Sequence, residues 1–218
     1  MSSRSVPICL TLMARGAAAS ALAIGMAIAP AARAGSIPSA ANSTIPPFVR
    51  LVGDNAAGVP DPRGSFSVTL RDASMNLLPG YTVWIDIRPC GELKGCRNLF
   101  GTCSANAAEA VTDINGVARL TVIGGRGSGA PVTTGCAEIF GQGVPLGHCS
   151  VAAFDQNGIN GVDGIDVGLW AADLFSGVHF WRSDYDGDGD IDGIDLGLLA
   201  DVLFGAGSTS GCDLGICP

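Results

Sequence analysis

Hydrophobic and polar residues follow two different periods along this chain. Between about Phe48 and Phe154 the period is two. Phe66, Val68 and Leu70 alternate with Ser65, Ser67 and Thr69, Val83, Ile85 and Ile87 alternate with Thr82, Trp84 and Asp86, and Ala118, Leu120 and Val122 repeat the pattern. Successive strand side chains point to opposite faces, so each run predicts a strand with one buried face. Turn chemistry separates the runs: "LLPG" at 77–80, "DING" at 113–116 and "GQGVPLG" at 141–147. Roughly seven short strands over about 105 residues predict a β-sandwich of two sheets.

Beyond Phe154 the period becomes that of a helix, and the chain repeats itself. "DQNGINGVDGIDVGLWAADLF" at 155–175 aligns without gaps on "DYDGDGDIDGIDLGLLADVLF" at 184–204, with "SGVHFWRS" between them. Each copy is an acidic loop followed by a short amphipathic stretch. In the second copy Leu196, Leu199 and Leu203 share a helical face with Leu198 and Val202 beside it, and in the first Val167, Trp170 and Leu174 take the equivalent places. Helices of about ten residues fall below the roughly 12 to 15 at which an isolated helix is marginal in water. Something besides helix propensity has to hold the pair together.

Charge indicates what that is. The chain carries 20 acidic and 12 basic residues, a net charge of −8, which argues against nucleic acid as a partner. Seventeen of the acids are aspartate and eleven of these lie between Asp155 and Asp201, where Arg182 is the only arginine or lysine. In "DYDGDGDIDGID" at 184–195, mutual repulsion and glycine both oppose order unless a cation is present. Calcium takes six to eight oxygens, and a twelve-residue loop supplies them from positions 1, 3, 5, 7, 9 and 12 with glycine at 6. In the second loop Asp184, Asp186, Asp188, Asp192 and Asp195 fill the side-chain positions, Gly189 stands at 6, and Asp190 at 7 offers its carbonyl. In the first, Asp155, Asn157, Asp163 and Asp166 stand at 1, 3, 9 and 12, with the Gly161 carbonyl at 7. Ile159 at position 5 has no ligating side-chain atom, and Asn160 replaces the turn glycine with a residue that tolerates left-handed backbone. The expectation is two Ca²⁺ sites, the second better formed, and a module that loses its structure when calcium is removed while the strand region stays folded.

Two resemblances follow from these residues. The duplicated loop, aspartate at position 12 and the lack of a helix before either loop make 155–205 resemble the type I dockerins. That resemblance implies calcium ordering a pair of helices that dock onto a cohesin-like domain of another extracellular protein. Its partner-contacting positions fall on Gly164 and Ile165 and on Gly193 and Ile194, where cellulosomal members often carry hydroxyl residues. "SFSVTLRDASMNLLPGYTVWIDI" and "TDINGVARLTV" are similar to the bacterial immunoglobulin-like domains of invasin-type adhesins, which implies an immunoglobulin-like β-sandwich over 48–154 and a part in cell adhesion. The cysteine-bearing loop from Cys90 to Cys103 departs from that pattern.

The remaining segments complete the expected organisation. Arg4 and Arg15, the apolar run Ala17–Ala29 and the small-x-small Ala32, Arg33, Ala34 read as a secretory signal over 1–34, too short to span a bilayer. Without it, nine basic residues face 20 acidic ones, a net charge of −11. Residues 35–47 read as a linker and 206–218 as a tail, no membrane span follows, and the protein is expected outside the cell or at its surface. Cys90, Cys96, Cys103, Cys136, Cys149, Cys212 and Cys217 would then meet an oxidising compartment, with Cys212 and Cys217 closing the tail, four of the other five bridging the middle region, Cys149 expected in a disulfide, and one odd thiol left free or bridging to another chain. No paired carboxylate motif announces a glycosidase and His148 points away from Cys149 on a strand, so the reading is not an enzyme. Two alternatives to docking stay open. One is a calcium-stabilised structural surface protein without a partner; the other is a carbohydrate-binding accessory in polysaccharide degradation, with Trp84 and Tyr81 as an aromatic platform.

Overall fold

The computed structural model describes residues 36–54, 59–97, 102–103, 106–127 and 135–205. The expected signal at 1–34 and the tail with Cys212 and Cys217 lie outside the described residues. The fold is mainly β. Among the described residues, ten strands are followed by two α-helices: β1 (Phe48–Leu51), β2 (Ser65–Thr69), β3 (Thr82–Asp86), β4 (Leu93–Arg97), β5 (Thr102–Cys103), β6 (Asn106–Val111), β7 (Val117–Thr121), β8 (Gly124–Arg126), β9 (Ala137–Gly141), β10 (Val144–Ala153), α1 (Gly164–Phe175) and α2 (Gly193–Phe204).

The strands with the clearest alternation build one core. β1, β10, β9, β3 and β6 form a five-stranded sheet in that order, β2 pairs with β7, and β5, β4 and β8 form a third sheet. Val68, Leu70, Ala118, Leu120 and Val122 meet Val83, Ile85 and Ile139 in the first hydrophobic cluster, so the β2–β7 ribbon covers the inner face of the larger sheet. Most pairings are antiparallel; β1 runs parallel to β10, with Phe48 opposite Ser150 and Leu51 opposite Ala153.

That parallel pair is buried on both faces, and this is what positions the acidic repeats. Along β10, Cys149, Val151 and Ala153 belong to the first cluster, whereas Ala152 and the following Phe154 belong to a second. Val49 and Leu51 face the first; Phe48 and Val52 face the second. The second cluster also contains Val162, Trp170, Tyr185, Leu199 and Val202. Helices and strands therefore share a core, with Phe154 and Tyr185 stacked at 4.5 Å between ring centroids. Burying each of these large side chains is worth about 1.5–3 kcal/mol. Side chains of the strand region and of the repeats, expected as separate modules, thus pack in one cluster.

Three further expectations change. Residues 39–45, within the stretch 35–47 read as a linker, lie against the edge of β2: the Ser39 N–H donates to Arg71 O at 2.8 Å and Thr44 and Thr69 exchange hydrogen bonds at 2.9 Å. They supply partners to a strand edge that would otherwise expose its backbone. Leu196 is 42% exposed, because the buried stripe of α2 runs through Leu199 and Val202 instead. Cys149, expected in a disulfide, is a free thiol buried in the core, standing opposite Ala137 rather than a cysteine; burial pushes it up to about 12. Cys90 and Cys136 are bridged, and the β4–β5 register places Cys96 opposite Cys103.

Candidate metal centre

Both acidic loops close by the same device. In the first, the N–H groups of Gln156 and Asn157 donate to Asp166 Oδ1 at 2.7 and 2.9 Å and that of Asp163 donates to Oδ2 at 2.7 Å. In the second, Tyr185 and Asp186 donate to Asp195 Oδ1 at 2.5 and 3.2 Å and Asp192 donates to Oδ2 at 2.8 Å. The carboxylate at position 12 thus gathers positions 2, 3 and 9 around it. It also closes a capping box, since Asp163 and Asp192 are the N-caps of α1 and α2 and accept from Ile165 and Ile194.

Position 1 repeats the logic at the other side of each loop. Asp155 Oδ1 accepts from the Gly158 N–H at 2.6 Å, and Asp184 Oδ1 from the Gly187 N–H at 2.7 Å. Positive φ recurs at positions 4 and 6 of both copies: Gly158 and Asn160 in the first, Gly187 and Gly189 in the second. Asn160 therefore adopts the left-handed turn that glycine provides in the other loop. Gly187 is constrained further, because a Cβ there would lie 2.8 Å from Phe48 Cγ. Gly187→Ala is expected to cost about 1–3 kcal/mol through strain and this clash, read from denaturant unfolding.

The oxygens converge most closely in the second loop. Asp184, Asp186 and Asp188 bring carboxylate oxygens within 4.8 Å of one another, and Asp190, Asp192 and Asp195 form a second such group. Both groups are suited to holding a metal ion. Asp190, assigned a carbonyl role from its position, brings its side chain into the second group. The first loop has no such triad among the described residues: Asn157 replaces one carboxylate and Ile159 is 51% exposed. It has an orphan oxygen instead. Asp155 is 3% exposed and its Oδ2 has no hydrogen-bond partner, a costly arrangement that a cation on that oxygen would relieve.

Charge and burial act in the same sense. Burial, then the charge of Asp166, pushes Asp155 up to about 7. Burial also raises Asp166 and Asp195, partly opposed by the N–H groups they accept. Asp190 is raised chiefly by the neighbouring charge of Asp188. A hard cation removes each of these penalties and uses only oxygen donors, which is the ligand chemistry of calcium.

Residues outside the ligand positions hold the loops in place, and apart from Arg182 they were not singled out from the sequence. Gln156 and Tyr185, at position 2 of each loop, are fully buried and joined by a 3.0 Å hydrogen bond from Gln156 Nε2 to Tyr185 Oη. Arg182 donates to both oxygens of Glu92 at 2.7 Å and to both of Asp173 at 2.5 and 2.7 Å; Arg126 adds a 3.0 Å contact to Glu92. The Arg126 N–H donates to Asp155 O at 2.8 Å, fastening β8 to the first loop. His179 Nε2 lies 3.0 Å from Asp184 Oδ2. The expected aromatic platform is not formed as read: Tyr81 packs against the first core, and Trp84 stacks on Phe140 with centroids 5.0 Å apart.

Gly164, Ile165, Gly193 and Ile194 all stand exposed at the helix starts, with Ile165 at 60% and Ile194 at 56%. Phe175 and Phe204 are 84% and 85% exposed at the helix ends. No helix among the described residues is long and apolar enough to cross a membrane. Compared with known protein families, curated proteins and solved structures, the chain matches none.

Proposed function

We propose that this is an exported, non-enzymatic protein in which two calcium ions order a dockerin-like module, and that the module attaches an immunoglobulin-like β-sandwich to an extracellular protein partner of the cohesin type. The observation that carries the reading is the convergence of six aspartates into two carboxylate groups within one twelve-residue loop, on a backbone the first loop reproduces. The orphan oxygen of Asp155 supports a second ion. The exposed pairs Gly164–Ile165 and Gly193–Ile194 support a surface in duplicate.

Titration calorimetry tests the metal. Two sites are expected, the second loop binding more tightly, the first weaker and within the 10⁻⁴ to 10⁻³ M range of extracellular modules. Calcium at 100 times its Kd should add about 2.7 kcal/mol of stability per site. Asp184→Ala with Asp195→Ala should abolish the tighter site. No heat and no change in melting temperature at millimolar calcium would end the proposal. Capture of a secreted or envelope partner that is lost in the same variant tests docking.

The carbohydrate reading is favoured by one observation, the Trp84–Phe140 stack, in which both rings are half-buried on alternate positions of β3 and β9 facing away from the core. A glycan array probed with the full chain and with Trp84→Ala separates it from protein docking.

A further inference from the structure

Arg50 lies on β1, opposite Ala152 of β10, and shares its strand face with Phe48 two residues earlier. That face looks toward the second loop. Arg50 Nε donates to the carbonyl of Tyr185, position 2 of the loop, while the Phe48 ring covers Gly187 at position 4. The guanidinium lies 5.4 Å from the Phe48 ring centroid and within electrostatic reach of Asp186, Asp195 and Asp184, which stand at positions 3, 12 and 1. The other arginines near the repeats are engaged elsewhere, Arg182 with Asp173 and Glu92 and Arg126 with Glu92, while the imidazole of His179 meets the second loop at Asp184 Oδ2, 3.0 Å away.

The two loops differ in how much charge they must hold. The second carries six aspartates and the first three, and Arg50 stands beside the second. We infer that Arg50 is the resident counter-cation of the second loop: it balances the loop's carboxylates while calcium is absent and, for the same reason, sets a ceiling on calcium affinity there. The inference rests on the calcium reading of that loop for its second half only. A guanidinium beside the loop helps its carboxylates to coexist, which favours the metal-free fold. When a divalent ion enters, the same positive charge beside the loop repels it, by an amount worth roughly tenfold in affinity for a separation of about 6 Å at a near-aqueous dielectric. β1 thereby tunes the loop without supplying a ligand.

The test compares Arg50→Met, which keeps the apolar stem, with Arg50→Lys, which keeps the charge, both in the full chain. Calcium is titrated at low and high salt, and the second loop is identified as the site that Asp195→Ala removes. Arg50→Met is expected to lower the metal-free melting temperature, more at low salt than at high, and to tighten calcium at the second loop about five- to tenfold. Arg50→Lys should stay near the unsubstituted protein in both. A purely structural arginine would give a different pattern: Arg50→Met would weaken calcium or leave it unchanged, and either result overturns the inference. Should none of the proteins bind calcium, the reading of the loop fails, yet the metal-free arm still decides. A melting drop that does not shrink at high salt would then rule out the counter-cation role.

Discussion

Replacing Arg182 with methionine is expected to cost about 3–5 kcal/mol and to destabilise the strands and the helices together. The guanidinium is 6% exposed and donates to two carboxylates, Glu92 and Asp173, that are 1% and 6% exposed. Removing it leaves Asp173 with only the Ser183 hydroxyl at 2.5 Å, and Glu92 with Arg126. Two buried carboxylates that lose their main cation carry the desolvation penalty the pair was built to offset. Glu92 precedes β4 in the turn fixed by the Cys90–Cys136 bridge, whereas Asp173 is on α1, so the loss falls at the joint between them. Such a loss is a large share of the 5–15 kcal/mol total stability of an ordinary domain. Denaturant unfolding followed by tryptophan fluorescence and by circular dichroism should show one coincident transition, shifted to lower denaturant. Asp173→Val, which copies Val202 of the second repeat, should soften the effect of Arg182→Met by 1–3 kcal/mol in a double-mutant cycle. A shift below about 1 kcal/mol, or two separate transitions, would contradict the shared core.

How far these features could be read from the sequence depends on whether the interaction is local. The loops were legible because ligand spacing is set within twelve residues, and the capping boxes and the left-handed Asn160 follow from the same short range. β2, β3 and β7 were legible because burial on one face imposes a period of two. The parallel pairing of β1 with β10 was not, since about a hundred residues separate Phe48 from Ser150 and nothing local fixes a parallel register. Cys149–Ala153 is an unbroken buried run, the mark of a strand covered on both faces, and that signal was available. So was the contrast between repeats: Asp173 stands where the second copy has Val202, and a carboxylate at a buried helical position calls for a cation, which Arg182 supplies. Arg50 carried no such signal, because its role depends on a strand far away in the chain folding beside the second loop.

Stability without metal should fall as pH rises from about 4 to about 7, opposite to the usual behaviour of a carboxylate-rich protein. Asp155 sets this trend, because burial and the charge of Asp166 push it up to about 7. In the unfolded chain an aspartate titrates near pH 3.9. Between those values the folded protein holds a proton at Asp155 that the unfolded chain has released, so raising the pH withdraws stability across that window and no further above it. The full difference is on the order of 4 kcal/mol, or about 10 °C of melting temperature for a chain of this size. Asp166 and Asp195, raised by burial, act in the same direction. Calcium inverts the trend because it binds the deprotonated form and competes with the proton: affinity at the first loop should weaken roughly tenfold for each pH unit below 7. Melting curves of metal-stripped protein from pH 4 to 8, with and without millimolar calcium, should therefore diverge as pH rises. Asp155→Asn preserves an acceptor for the Gly158 N–H, placed 2.6 Å from Oδ1, while removing the charge. That variant should be more stable than the unsubstituted protein at pH 7 without metal, should lose most of the slope, and should respond less to calcium. A metal-free melting temperature that stays level or climbs from pH 4 to 7 would show that Asp155 is ionised throughout, and the need for a cation at the first loop would go with it.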